Sequence, residues 1–293
     1  DHLADARSGL SSGDAFRNID IWAKGFGNYL DQDKRDHIDG YKAHTLGTTI
    51  GVDFLVADPL RIGLSGGYAF SRVDSEQSNI GDTDIDSYQG TIYGGYSDGP
   101  VYIDVAGSLA YNKYEGSRTV TFGNIARTAD SDYDGRQYSA YIEGGCALEI
   151  NGPEITPIAS LRYIYLHLDD YTESGADALN LKVDSQDYDF LQSGLGARFA
   201  YPIRNAEMTF IPEIHGMWLY DFVGDEQQAT STFTGGGASF RTEGADPAQN
   251  SFNVGGSLML IMTDNLSLIL AYDFEGKEDF IGHSGSVTLK YRF

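Results

Sequence analysis

Eight consecutive residues, Ser286-Val287-Thr288-Leu289-Lys290-Tyr291-Arg292-Phe293, alternate without a break between polar and apolar. In an extended strand successive side chains point to opposite faces, so Val287, Leu289, Tyr291 and Phe293 share one wholly apolar side. The other side carries Lys290 and Arg292. One such strand also fits a soluble sandwich. The constraint is that the pattern recurs about twelve times at strand length, with tight and long connections in turn.

The proposed strands, at least nine to eleven residues each, are long enough to cross a bilayer. Leu46, Ile50, Val52 and Phe54 oppose Asp53 and its neighbours; Ile62, Leu64, Tyr68 and Phe70 oppose Arg61. Val101, Ile103, Val105 and Leu109 oppose Asp104, and Tyr138 and Ile142 oppose Glu143. Further strands set Leu161 and Tyr163 against Arg162, Leu195 and Phe199 against Arg198, Ile214 and Trp218 against Glu213, and Leu270 and Tyr272 against Asp273. The first strand, from Ile19 to about residue 30, contains Trp22, Phe26 and Tyr29, and its facing is ambiguous. Asp98-Gly99-Pro100 and Asn151-Gly152-Pro153 are tight-turn sequences. Long polar stretches near 31–42, 74–84, 113–135, 169–188 and 221–249 lie between the tight connections.

Sorted loops of this kind belong to a transmembrane antiparallel up-and-down β-barrel, with short turns on one side and longer loops on the other. No run of apolar residues is long enough for a spanning helix, and a spanning barrel hides its apolar half by alternation. In hydrocarbon an unpaired sheet edge is not viable, so the first strand must pair with the twelfth. The polar faces then enclose a wet interior lined by Asp53, Arg61, Asp104, Glu143, Arg162, Arg198, Glu213, Asp273, Lys290 and Arg292. A formal net charge of −23 argues against nucleic acid as a partner. The single cysteine, Cys146, is in phase with Tyr138 and Ile142 and reads as a small apolar residue rather than a nucleophile.

Ile21-Trp22-Ala23-Lys24-Gly25-Phe26-Gly27, Gly47-Thr48-Thr49-Ile50-Gly51-Val52-Asp53, Gly63-Leu64-Ser65-Gly66-Gly67-Tyr68, Tyr93-Gly94-Gly95-Tyr96 and the terminal aromatic occur in an order that resembles the translocator β-domain of autotransporters, the type V secretion proteins of Gram-negative bacteria. The resemblance covers residues 18–293. It implies a twelve-stranded outer-membrane barrel without chemistry of its own, supporting secretion and surface anchoring of an N-terminal passenger. It also implies a helix running through the lumen to join the two, of which residues 1–17 are the expected remnant. Val287, Leu289, Tyr291 and Phe293 match the family's assembly signal, which the barrel-assembly machinery reads through strand pairing. The expected partners are therefore outer-membrane lipid, that machinery and the chain's own passenger and linker, and the barrel is expected to be a monomer. A stand-alone porin or a barrel lipase is the alternative, and the upstream coding sequence separates the first of these from a translocator.

No catalytic, metal or cofactor site emerges. His2, His37, His44, His167, His215 and His283 are scattered, without ligand spacing or a Gly-x-Ser-x-Gly elbow. Asp130-Ser131-Asp132-Tyr133-Asp134-Gly135 begins like a calcium loop, but its twelfth position is Tyr141 rather than Glu. It reads as a solvated acidic surface, as do Asp82, Asp84 and Asp86.

Overall fold

The structure, a computed structural model, describes residues 19–76, 81–150, 152–204, 208–223 and 228–293. Twelve long strands run in chain order: β1 (Ile19–Gln32), β2 (Tyr41–Ala57), β3 (Leu60–Ser75), β4 (Asp82–Asp98), β5 (Val101–Phe122), β6 (Ile125–Cys146), β7 (Glu154–Leu168), β8 (Gln186–Ala200), β9 (Thr209–Asp221), β10 (Asn250–Ile261), β11 (Leu266–Lys277) and β12 (Phe280–Arg292). Each pairs antiparallel with its sequence neighbour, and β1 pairs with β12 from Asp20↔Arg292 to Gln32↔Phe280. The barrel is therefore closed, as the cost of a bare edge in lipid requires. At the seam the Phe293 amide donates to the Ile19 carbonyl at 3.1 Å.

The apolar side chains are on the outside. Leu46 is 73% exposed, and Ile50, Leu109, Ile214, Phe252, Val254, Val287, Leu289, Tyr291 and Phe293 are exposed with it. Asp20 and Asp53 are 0% exposed. This inversion of a soluble protein is what alternation produces when hydrocarbon is the outer solvent. Facing along β1, ambiguous in the sequence, is resolved: Ile19 and Ile21 point outward, and Trp22, Lys24 and Phe26 line the interior.

The two rims differ. One carries the connections 57–60, 98–101, 146–154, 200–209 and 261–266. The other carries the two longest, 168–186 and 221–250, beside 32–41, 75–82 and a two-residue turn at 277–280 that breaks the expected alternation, and it departs from expectation in two further respects. Residues 113–135 are not a loop: β5 and β6 pair continuously out to Phe122↔Ile125 around Gly123, which adopts φ +58. Strands of 22 residues extend ~70 Å at ~3.3 Å per residue, well past a ~30 Å hydrocarbon core, so this hairpin stands clear of the membrane. Asp130–Gly135, which begins like a calcium loop, lies within β6, and Asp82–Asp86 lies within β4, so both are strand rather than loop.

The connections 169–185 and 222–249 also contain regular structure among their described residues. Short strands at 171–172, 181–183, 228–233 and 240–243 form a separate four-stranded sheet. It joins the barrel through a paired bridge between Asp130 and Ser174, with N–O distances of 2.8 and 2.9 Å. Tyr171 stacks on Tyr133 at 4.2 Å, and Tyr133 stacks on Tyr114 at 4.8 Å. Arg118 holds the buried Glu173 by two bonds, of 2.9 and 2.5 Å. By strand phase Tyr114, Arg118 and Tyr133 lie on the inner face of the hairpin, so the 169–183 connection folds against the side continuous with the lumen.

Candidate functional site

Inside the barrel the charged side chains gather in two clusters. The first spans the seam near the short-turn rim. Lys290 on β12 lies 3.1 Å from Asp20 on β1 and 3.1 Å from Asp53 on β2. Arg61 on β3 reaches Asp20 at 3.3 Å, and Arg292 reaches it at 3.5 Å. Trp22 Nε1 donates to Asp53 at 3.2 Å and to the Tyr93 hydroxyl at 2.7 Å, and that hydroxyl donates to Asp53. Two carboxylates and three cations thus share one buried network, the arrangement that makes buried charge tolerable.

The second cluster lines the wall from β5 round to β11. Arg198 lies 3.3 Å from Glu143 and 3.2 Å from Glu213. Tyr102 and Tyr141 donate to the two oxygens of Glu143 at 2.7 and 2.6 Å. His215 Nε2 lies 2.9 Å from Asp273, which can only accept, so that nitrogen donates. Asp104 is registered against Glu143, and Arg162 stands 5.7 Å over the Tyr141 ring.

Of the residues singled out from the sequence, Asp53, Arg61, Lys290 and Arg292 meet in the first cluster. Arg198, Glu143, Glu213 and Asp273 meet in the second. Sequence reasoning missed the inward aromatics Trp22, Phe26 and Tyr93. Their signal is glycine on the adjacent strand: a Cβ at Gly51, Gly47 or Gly63 would come within 2.4, 2.3 and 2.2 Å of the rings of Trp22, Phe26 and Tyr93 respectively. The rings lie flat on bare backbone, as aromatic side chains do over sheet glycines.

Between the clusters the charged side chain is Lys24, with Asp273 of the second cluster beside it. Trp22, Phe26, Asn28, Thr49, Gln89 and Thr91 surround a recess of about 460 Å³ there. Such a surface can hold water, or an apolar-and-polar polypeptide face, through stacking and single hydrogen bonds. Among the described residues the carboxylates of Asp31, Asp33 and Glu76 approach one another closely, but Lys42 lies 3.6 Å from Asp31 and 3.7 Å from Glu76 and supplies the counter-charge.

Comparison with known proteins is consistent with this architecture. Residues 21–273 match the autotransporter beta-domain family. Outer membrane protein B of Rickettsia prowazekii (strain Madrid E) is 26% identical over 303 aligned residues, which cover 100% of this chain and 18% of that protein. The chain thus spans under a fifth of that relative. Among solved structures, the translocator domain of the autotransporter NalP from Neisseria meningitidis superposes with a TM-score of 0.77 at 18% identity, covering 100% of this chain and 94% of that one. The transport unit of the autotransporter AIDA-I from Escherichia coli gives 0.70 at 16% identity, covering 100% and 96%. With an aliphatic exterior, a charge-paired interior, a closed twelve-strand ladder and a family match over nearly its whole length, the chain belongs to the autotransporter β-domain family and is a barrel of the Gram-negative outer membrane.

Proposed function

We propose that this barrel supports export of an N-terminal passenger and anchors it at the cell surface, with no chemistry of its own. The observation that carries the reading is the pairing of a lipid-facing aliphatic wall with an interior in which Arg61, Lys290, Arg292 and Arg198 each meet carboxylates. A polypeptide in transit then meets a hydrated surface on which these cations are already neutralised. Lys24, Asp273 and the recess beside Trp22 and Phe26 are where a linker segment would rest. Residues 1–17, the expected remnant of that linker, lie outside the described residues. Val287, Leu289, Tyr291 and Phe293 would serve twice, as lipid-facing side chains and as the strand read by the assembly machinery, and the closed ladder leaves a monomer with no edge to hide.

The test is expression of the complete coding sequence with an epitope in the passenger. Surface display that is lost when residues 19–293 are removed supports export. A signal peptide directly upstream, with no passenger, favours a stand-alone channel instead. Ester hydrolysis by the purified barrel would overturn the non-catalytic reading.

A further inference from the structure

Beyond the membrane the two edges of the β5–β6 hairpin meet different surroundings. On the β6 side, Asp130 commits both backbone groups to Ser174, its amide donating at 2.8 Å and its carbonyl accepting at 2.9 Å. Gly175 closes over the neighbouring carbonyl on that edge, since a Cβ there would come within 2.7 Å of the Thr128 oxygen. On the β5 side, β4 pairs only as far as Thr83↔Gly116, and Gly81 lies against the Ser117 carbonyl. From Arg118 to Phe122, none of the described residues pairs with that edge. The ladder between β5 and β6 nevertheless continues to Phe122↔Ile125.

Register decides which backbone groups face the open side. Asp130 is the partner of Ser117 and turns its N–H and C=O away from β5, so Ser117 turns its own away from β6. Antiparallel pairs alternate in this respect. Thr119 and Thr121 therefore also present N–H and C=O to the open side, while Arg118 and Val120 bond to β6. The two-residue turn at Gly123-Asn124 gives the same phase, because the residues flanking such a turn bond each other. Natural edges are blunted by proline, lysine or a bulge. Ser117-Arg118-Thr119-Val120-Thr121-Phe122 holds no proline or lysine, its ladder has no register shift, and Thr119 and Thr121 are exposed. A bare backbone edge is complementary to another extended strand. A second copy in the same membrane has the same orientation, so its β5 rises in the same direction and cannot pair antiparallel. A chain leaving the lumen, by contrast, passes beside this edge, which tops the wall that lines it. We infer that β5 accepts one extended segment of the exported polypeptide as an added antiparallel strand, held by the backbone groups of Thr119 and Thr121. This rests on the export reading given above.

Hydrogen exchange resolved to single amides, on the complete protein with its passenger and on residues 1–293 alone, both in micelles, tests this. The Thr119 and Thr121 amides should exchange about tenfold slower when the passenger is attached, the factor expected for one added hydrogen bond. The Val120 amide, bonded to β6, should be slow in both. In cells, Thr119→Pro combined with Thr121→Pro removes both outward donors and leaves the β6 ladder intact. Surface arrival of a passenger epitope after a pulse of label should then slow severalfold, while the heat-modifiable shift of the barrel persists. Thr119→Lys combined with Thr121→Lys keeps the donors and guards the edge with charge, and it should slow arrival as well. Equal exchange with and without the passenger, or parent arrival rates in both folded variants, would each overturn the inference and leave export itself standing. A parent protein that displays no passenger overturns the export reading and removes this inference with it.

Discussion

Lys290 Nζ sits 3.1 Å from Asp53 Oδ2, although 237 residues separate them in the chain. The contact reaches from the last strand across β1 to β2, so one ammonium group ties three strands together at the seam. Replacing it with an uncharged side chain of similar length, Lys290→Met, leaves Asp53 with only its Trp22 and Tyr93 donors. The barrel should lose about 3 kcal/mol, at the low end for breaking a buried pair because Arg61 and Arg292 still serve Asp20. The urea midpoint of refolded protein in micelles measures it, and an unchanged midpoint would remove the network from any account of stability.

Gly47 lies under the Phe26 ring. Gly47→Ala would put a Cβ 2.3 Å from that ring, which must then move. The expected cost is ~1–3 kcal/mol, typical of overpacking. Adding Phe26→Ala should recover part of it, so the two changes should be non-additive in a double-mutant cycle. Gly285→Ala, facing open space, should be close to neutral.

Leu289 is exposed on the outer wall, and Lys290 beside it is buried in the interior. Leu289→Arg places a cation against hydrocarbon and should destabilise the barrel by ~2–4 kcal/mol if the site is near mid-depth. Thr288→Arg, one residue earlier and inward-facing, should cost far less. Equal effects of the two changes, read as folded fraction in micelles, would remove the inside–outside assignment.

Glu173 anchors the connection after β7. It accepts two bonds from Arg118 and one from the Leu181 amide at 2.7 Å. Glu173→Gln should release this connection from the hairpin while sparing the barrel. Trypsin should then cut after Lys182, now held between Thr172 and Thr232, many times faster. The heat-modifiable shift of the barrel should persist.

Burial and, secondarily, the charge of Glu173 hold the Tyr171 hydroxyl above the usual tyrosine range. The released loop would ionise near pH 10 and the docked loop later, so from about pH 10 upward release is favoured and docking weakens. Below that range this group adds no pH dependence. Tyr171→Phe should remove one hydroxyl that titrates above the usual tyrosine range from the tyrosinate absorbance and keep the loop docked to higher pH.

The barrel itself was legible because two facts sufficed: strict alternation and sorted connections. Val287 through Phe293 carry the facing of the last strand in plain sight, and Arg61, Asp53 and Glu143 follow the same phase. β1 was not legible, because Trp22 and Phe26 are apolar yet point inward. Their place is set by bare backbone at Gly51 and Gly47 on the next strand, a relationship between strands that alternation within one strand does not encode. The outer hairpin was misread for a related reason. Residues 113–135 are polar on both faces because water bathes both beyond the membrane, so the sequence loses its apolar stripe while the ladder continues. The docking of Tyr171 and Glu173 depends on a partner at Tyr133 and Arg118, far along the chain, with no local motif to announce it.

The amide of Phe293 bonds to the carbonyl of Ile19, so the two ends of the barrel lie side by side. Geometrically the ladder is a ring without a beginning, and its last junction has 13 paired positions, between the 14 and 12 of its neighbours. What distinguishes it is timing. Each hairpin needs only a short loop to close, whereas this junction must gather nearly the entire chain. The extra entropy grows only logarithmically with the length enclosed, at ~0.6 kcal/mol per doubling, but contacts so remote in sequence form slowly. The finished wall has no weak point there; the unfinished one has its only opening there, and whatever attends the birth of this barrel must act on that gap while it lasts.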